Sequence, residues 1–369
     1  MIYLDYSATT KPDKKVIERF SYISSEYFAN ANSTHTLGIS SKKIIDDAIS
    51  NIAQYLNVEK EEIIFTSGST ESNNTIIKGI CDKYEKGHII SSSLEHASVL
   101  SPLSYEQRRG FTIDFAPLDD EGKVDVDLLE KLIKDDTVLI TISSVNSETG
   151  IKNPIDKIGK MIKKYPQVTF HSDMTQSLGK ENIDLTYVDA ASFSAHKIYG
   201  LVGIGLLIVK KGIKFTPLIL GGKSITNYRS GTPQTALIDS ISTAMDQIIP
   251  NLESNITYVT MLNNKIRTHI SKYENIIINS PIDALPHILN ISFINTTSSN
   301  IQKILEDKDI YISTQTACAS SYDYSKTILS LTNDLKRASS SIRISLSHNT
   351  LLEEINYLLN TIDSIMEEK

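Results

Sequence analysis

The sequence predicts an α/β fold: a mainly parallel central sheet flanked by helices, with a smaller α/β domain at the C-terminal end. Three observations point there. Short apolar runs at 63–66, 88–92, 138–145 and 204–209 alternate with amphipathic helical patterns. Strands that read as nearly continuous apolar runs are buried on both faces, as in a sheet with helices on either side. From Pro233 to Ile270 glycine and proline are scarce and the pattern turns helical, and a second strand–helix series begins after Pro281 and Pro286. The composition agrees: 40% hydrophobic and 22% charged over 369 residues is an ordinary globular balance.

The elements follow in order. Val16, Ile17, Phe20, Ile23 and Tyr27 recur at helical spacing behind Pro12 and Asp13, a good N-terminal pair. Ile45, Ala48, Ile52 and Tyr55 mark a second helix. The β-rich run 63–66 ends at Ser67-Gly68-Ser69, and Ile76, Ile77, Ile80 and Tyr84 give the helix that follows. Strands are expected at 88–92, 111–115, 138–145, 168–171, 190–194 and 204–209, with helices at 98–109, 126–133 and 155–165. The second series holds strands at 287–294, 310–313 and 342–346 and a helix at 301–305; Thr350-Leu-Leu-Glu353 reads as a capping box opening the last helix. A boundary inside the long helix, near residue 250, gives a large domain 13–250 and a small domain 251–369, joined by the N-terminal segment 1–12.

Composition also excludes function classes. Two cysteines exclude a disulfide scaffold and a Cys₄ zinc site, and no metal is expected. Lys and Arg number 37 against 44 Asp and Glu, and a net charge of −7 argues against direct nucleic-acid binding. The first residues have no basic stretch leading into an apolar one, and no apolar run approaches the ~20 residues that span a bilayer. The expected location is the cytoplasm, with both thiols reduced.

In a doubly covered sheet, ligands sit in loops after the carboxyl ends of strands. Four such loops stand out. In 66–74, small hydroxyl residues and Gly68 lead from a strand into a helix, the pattern of an anion site at a helix N-terminus; plain N-capping is the bland alternative. Glu95-His96 places an imidazole after the next strand. Asp173, with Gln176 behind it, ends a buried strand, where an acid needs a cation or donors. Lys197, in Ser194-Ala-His-Lys197, follows another apolar strand, where a nucleophilic lysine would sit. Alone, each has a structural reading. Together, a phosphate cradle, an acid, an imidazole and a lysine are the inventory that pyridoxal phosphate needs.

The two cysteines differ. Cys81 falls among Ile76, Ile77, Ile80 and Tyr84 and reads as core. Cys318 lies in Ser313-Thr-Gln-Thr-Ala-Cys-Ala-Ser-Ser, a run with little to pack, and reads as reactive.

With these motifs in place the chain resembles the group I (NifS-like) cysteine desulfurases, fold-type I pyridoxal-phosphate enzymes of the class V aminotransferase superfamily. The resemblance runs nearly end to end, from Tyr3-Leu-Asp-Tyr-Ser-Ala-Thr-Thr10 through Glu62–Asn74, Glu95-His96, Val145-Asn146-Ser-Glu148, Asp173 with Gln176, Ser194–Lys197, Gly221-Gly222, Arg229-Ser-Gly-Thr232 and Thr316-Ala-Cys318 to Ser341-Ile-Arg-Ile-Ser345. It implies that Lys197 carries the coenzyme, Asp173 partners the pyridine nitrogen, Gln176 the ring hydroxyl oxygen, and His96 stacks on the ring and moves protons. Ser69, Thr70, Ser194 and His196 match phosphate ligands, and Thr232 one supplied by a neighbouring subunit, which implies a homodimer. Arg343, Asn146 and Asn30 match groups that bind the substrate carboxylate, Asn146 also lying by the coenzyme. Cys318 matches the nucleophile. The implied reaction converts L-cysteine to L-alanine and leaves a persulfide on Cys318, for a sulfur-acceptor protein in iron–sulfur cluster assembly or tRNA thiolation. The same motifs leave room for a selenocysteine lyase, a C–S lyase, an aminotransferase or a non-catalytic sulfur relay. The chain departs from the pattern where Asn30-Ala-Asn-Ser-Thr-His35 replaces Asn-Pro-Ser-Ser-x-His and Gln315-Thr-Ala-Cys318 replaces Gly-Ser-Ala-Cys.

Overall fold

The structure, a computed structural model, describes residues 1–315 and 323–367. A two-residue strand β1 (Ile2–Tyr3) leads to helices α1 (Lys14–Glu26) and α2 (Thr36–Leu56). Then come β2 (Ile63–Thr66), α3 (Ser69–Cys81), β3 (His88–Ser91), α4 (Ala97–Arg108), β4 (Thr112–Phe115), α5 (Val126–Lys131), β5 (Thr137–Thr141), α6 (Ile155–Ile162), β6 (Thr169–Asp173), β7 (Ala190–Ser194) and β8 (Gly205–Val209). Strands β2 to β8 form one sheet in the order β2-β8-β7-β6-β5-β3-β4. Neighbours from β4 to β7 are parallel, while β8 runs antiparallel to both β7 and β2. Two reversals cancel, so β2 points the same way as β7. The carboxyl ends of β2, β3, β5, β6 and β7 therefore share one edge.

Successive strand residues face opposite sides of a sheet. Phe65, Ile90, Ile140, Phe170, Phe193 and Leu206 join one core with α2 and α6. Their neighbours Ile64, Ile89, Leu139 and Leu207 join another with α3 and α4. This double burial is why the strands read as unbroken apolar runs.

The single helix expected from Pro233 to Ile270 is two, α7 (Thr235–Ile248) and α8 (Leu252–Ile270), separated by a 3₁₀ turn Ile249–Asn251. Pro250 lies in that turn: it lacks an N–H and its ring clashes with the preceding turn, so a helix interior breaks there. Beyond it, β9 (Ile276–Ile278), β10 (Ile288–Phe293), α9 (Ser298–Glu306), β11 (Ile310–Tyr311), α10 (Lys326–Thr332), α11 (Leu335–Ser339), β12 (Ser341–Ser345) and α12 (Leu352–Glu367) follow. β10 pairs antiparallel with β9 and β12, and their apolar faces pack with α8, α9 and α12 into a separate core. The N-terminal segment belongs to this second layer: β1 pairs parallel with β11, and Leu4 is buried in its core.

The capping box at α12 is shifted by one residue. Thr350 Oγ1 accepts from Ser347 N at 3.1 Å, and Glu354, not Glu353, reaches back to Leu351 N at 2.8 Å. The tight turn Ser347–Thr350, closed by Thr350 N to Ser347 O, occupies the threonine and moves the helix start onward. Among the described residues no helix is long and apolar enough to cross a membrane, and no group of three or more His, Cys, Asp or Glu is placed to hold a metal ion.

Candidate active site

A cavity of about 230 Å³ opens at the shared carboxyl edge of the central sheet. Its floor is the start of α3. Gly68 caps that helix with φ +154°, a backbone that side-chain-bearing residues avoid, and a Cβ there would lie 3.3 Å from Ser194 Oγ. Ser69 and Thr70 then present the first turn to the cavity, where unpaired N–H groups and the helix dipole favour an anion. Glu71 turns aside: it accepts from Ser67 N at 2.8 Å and from Arg229 Nε at 3.1 Å, so its charge is neutralised beside that anion site.

Asp173 is the last residue of β6. Its Oδ1 accepts from Thr175 N at 3.0 Å and its Oδ2 from Asn73 Nδ2 at 2.7 Å. Asn73 Nδ2 also donates to Ser98 Oγ at 2.9 Å, which lies 2.8 Å from His96 Nδ1. His96 caps α4 and accepts from Ser98 N at 3.1 Å through the same nitrogen. With Nδ1 accepting, the proton sits on Nε2. Burial lowers the His96 pKa, with the Lys197 charge adding to it and Asp173 opposing, so the ring is neutral at pH 7. Glu95, buried beside it, accepts from Ser143 N at 2.7 Å through Oε1. Burial, then the Asp173 charge, pushes its pKa up to about 8.

Lys197 follows β7 in the 3₁₀ turn Ala195–Lys197. Its Nζ donates to Ser7 O at 2.5 Å and Ala8 O at 2.7 Å. The N-terminal segment thus crosses the cavity, and Thr10 fixes it by donating N and Oγ1 to His196 O, both at 2.9 Å. His196 lines the cavity with Nδ1 3.1 Å from Thr9 Oγ1; burial, then the Lys197 charge, takes its pKa down to about 4. Gln176 Nε2 donates to Ser7 O at 3.0 Å.

The far wall comes from the second layer. Arg343 on β12 is 1% exposed and lines the cavity. It donates from one terminal nitrogen to Asp5 Oδ1 at 2.7 Å and from the other to Ser147 O at 2.9 Å. Its Nε has no partner among the described residues.

One cavity therefore brings together Lys197, Asp173, Gln176, His96, Ser69, Thr70, His196 and Arg343. Ser194 is buried behind the wall, next to Gly68. Asn146 stands outside it: its amide donates to Leu94 O and accepts from Glu148 N, Thr149 N and Thr149 Oγ1, which ties up the loop after β5. Asn30 also lies away, exposed, with Oδ1 bonded to Asn32 N at 2.9 Å. Thr232 lines a different hollow with Arg229 and Thr66. Cys318 falls outside the described residues. Cys81 is buried in the core beneath α3 and α4, and burial raises its thiol pKa. Sequence reasoning passed over Asn73, Thr175 and Asp5. Asn73 lies in the polar first half of α3, within Ser69-Thr-Glu-Ser-Asn-Asn-Thr75, so nothing local marks it out from its neighbours.

Fold and cavity together define an α/β enzyme whose site lies at the carboxyl ends of a mainly parallel sheet and whose wall is completed by a smaller second layer. The chain belongs to the aminotransferase class-V family, whose pattern it matches over residues 2–358. It is 37% identical over 374 residues to a protein named cysteine desulfurase IscS from Dictyoglomus turgidum, covering 100% of this chain and 95% of the relative. A solved structure described as a NIFS-like protein superposes with TM-score 0.94 at 33% identity, covering 100% of both chains. Another, described as SspA in complex with cysteine, gives TM-score 0.85 at 30% identity over 95% of this chain and 100% of that one.

Proposed function

We propose that this chain is a pyridoxal-phosphate-dependent cysteine desulfurase that converts L-cysteine to L-alanine and carries the sulfur as a persulfide on Cys318. The observation that carries the reading is the convergence of Lys197, Asp173, His96, a helix N-terminus and a buried arginine on one cavity, in a chain similar over its whole length to a cysteine desulfurase.

The residues present fit the coenzyme. Thr175 lines the cavity, and its Oγ1 is buried without a partner among the described residues, a hydroxyl that a polar ligand atom would satisfy. Ser69, Thr70, Ser194 and His196 would hold the phosphate at the start of α3, with Thr232 of a second copy. Asp173, already fixed by two donors, would accept from the pyridine N–H. Gln176 would donate to the ring hydroxyl oxygen, His96 would lie against the ring, and Lys197 would be the point of attachment. When bound, the coenzyme supplies an electron-withdrawing ring that stabilises negative charge at the substrate α-carbon.

The chain's own groups do the rest. Arg343 holds the substrate carboxylate, for which its planar fork is suited. Lys197 Nζ moves the proton at the α-carbon, and the neutral His96 ring exchanges a proton through Nε2. The Cys318 thiolate attacks the substrate sulfur; the S–S bond forms as the C–S bond breaks, and the alanine carbon takes up a proton.

The same reading takes 13–250 as the coenzyme-binding domain, 251–369 as the smaller domain and 1–12 as the segment joining them. The central sheet within 63–209 and the separate core around β10 support this division. It also takes the protein as a cytoplasmic homodimer with shared sites, delivering sulfur to an acceptor protein for iron–sulfur cluster assembly or tRNA thiolation.

The test is product analysis with L-cysteine and a thiol reductant. Alanine and sulfide in equal amounts, with no need for a keto acid, are expected. Pyruvate and ammonia would indicate a C–S lyase instead, and a keto-acid requirement an aminotransferase.

A further inference from the structure

Lys180 lies in the turn after β6 and is 5% exposed. Its Nζ donates to Gln176 Oε1 at 2.7 Å. Among the described residues no carboxylate is within ion-pair reach of it, although Glu181 follows in sequence and pairs with Lys152 at 3.1 Å. The charges facing Lys180 are mostly of its own sign: burial, then Lys197 and Arg343, take its pKa down to about 7 with Glu181 opposing, so below that pH it stands as an ammonium, and His287 and His196 feel its charge in turn. A buried ammonium without a counter-ion is costly. A methionine would fill the same space without that cost.

What the ammonium does is visible in the amide it touches. An ammonium has three donors and no acceptor, so the oxygen of Gln176 must face it. On the other side, Gln176 Nε2 donates to Ser7 O at 3.0 Å. Turning the amide over would set NH₂ against NH₃⁺ and carbonyl against carbonyl. Both neighbours thus demand one orientation, and it leaves the second hydrogen of Nε2 for the cavity that Gln176 lines. Hydrogen-bonded chains polarise along their length, so the cation also strengthens that N–H as a donor.

We propose that Lys180 is a positioning residue: it locks the Gln176 amide with its N–H toward the cavity and, through it, places positive charge behind the ring hydroxyl oxygen of the coenzyme. This rests on the coenzyme reading above. Lys197 and Ser7 share that corner, since Ser7 O accepts from both Gln176 and Lys197, so the effect is read out next to the attachment point.

The experiment titrates the visible absorption band of the bound coenzyme with pH and measures pyridoxal phosphate affinity by equilibrium dialysis of the apo protein. In Lys180→Met the pH midpoint is expected to rise by about one unit, because the cation no longer favours the more negative form. Affinity is expected to fall roughly tenfold, the weight of one hydrogen bond to a charged group. Gln176→Met should raise the midpoint likewise, and the double variant should go no further than Gln176→Met alone, since Lys180 acts through that amide. Lys180→Arg, which keeps charge and donors, should stay near the wild type. Should Lys180→Met not fold, Lys180→Gln, which keeps a donor but loses the charge, reads the same upward shift. A wild-type midpoint in Lys180→Met or Lys180→Gln, or full additivity in the double variant, overturns the proposal. Wild-type protein that takes up no coenzyme overturns the coenzyme reading itself, a separate result.

Discussion

Asn73 donates from Nδ2 to Asp173 Oδ2 across 2.7 Å, and the same nitrogen reaches Ser98 Oγ at 2.9 Å. One amide on α3 therefore ties the acid at the end of β6 to the hydroxyl that orients His96. An acid expected to partner a ring nitrogen must hold one position, and it is a neighbouring helix that holds it.

Replacing Asn73 by Ala leaves a buried carboxylate oxygen and a buried hydroxyl each short of a donor. The expected loss is about 1–3 kcal/mol of stability, seen as a lower urea midpoint with an unchanged slope. Coenzyme affinity should fall with it, because Asp173 is no longer held. Asn73→Ala protein with wild-type affinity would mean that Asp173 is positioned by Thr175 N alone.

Arg343→Lys keeps the charge and loses the fork. Lysine offers a point charge where arginine offers paired donors, and Asp5 and Ser147 O compete for what remains. KM for cysteine should rise roughly tenfold or more, equivalent to about 1.5–3 kcal/mol. The absorption spectrum without substrate should be unchanged. Steady-state kinetics beside a spectrum separate the two.

Glu95 gives a pH signature. Its pKa rises from 4.5 to about 8 on folding. A carboxyl raised in this way contributes stability fully present below pH 4.5 and lost as pH rises toward 8, because the folded chain holds a proton that the unfolded chain has released. Glu95→Gln removes that term. The stability difference, variant minus wild type, should therefore grow between pH 4.5 and 8. A difference that stays flat over this window in urea unfolding would show that Glu95 is ionised in the folded protein.

Cys81→Ala should leave turnover intact and cost about 1–2 kcal/mol, the loss of a small buried side chain. The native Cys81 thiol should resist alkylating reagents at pH 8, since burial keeps it protonated. Its rapid labelling in folded protein would contradict its place in the core.

The strands and their order along the chain were legible because double burial writes itself as apolar runs, and the strand ends and the loops after them carry Asp173, Lys197 and His96 at predictable places. What the sequence did not disclose is the work of long-range partners. Nothing local says that Asp5 pairs with Arg343, 338 residues away, or that Ser7 and Ala8 accept from Lys197. Asn146 carries the motif but spends its amide on its own loop. The break at Pro250 was readable and was outweighed by the helical period on either side.

The most direct test of the account is mass spectrometry of the protein after exposure to L-cysteine, without reductant, followed by peptide mapping. The account predicts the mass of one added sulfur atom on the peptide that contains Cys318, absent from the Cys81 peptide and absent in Cys318→Ser. Sulfur on Cys81, or sulfide release by Cys318→Ser at the wild-type rate, would contradict it.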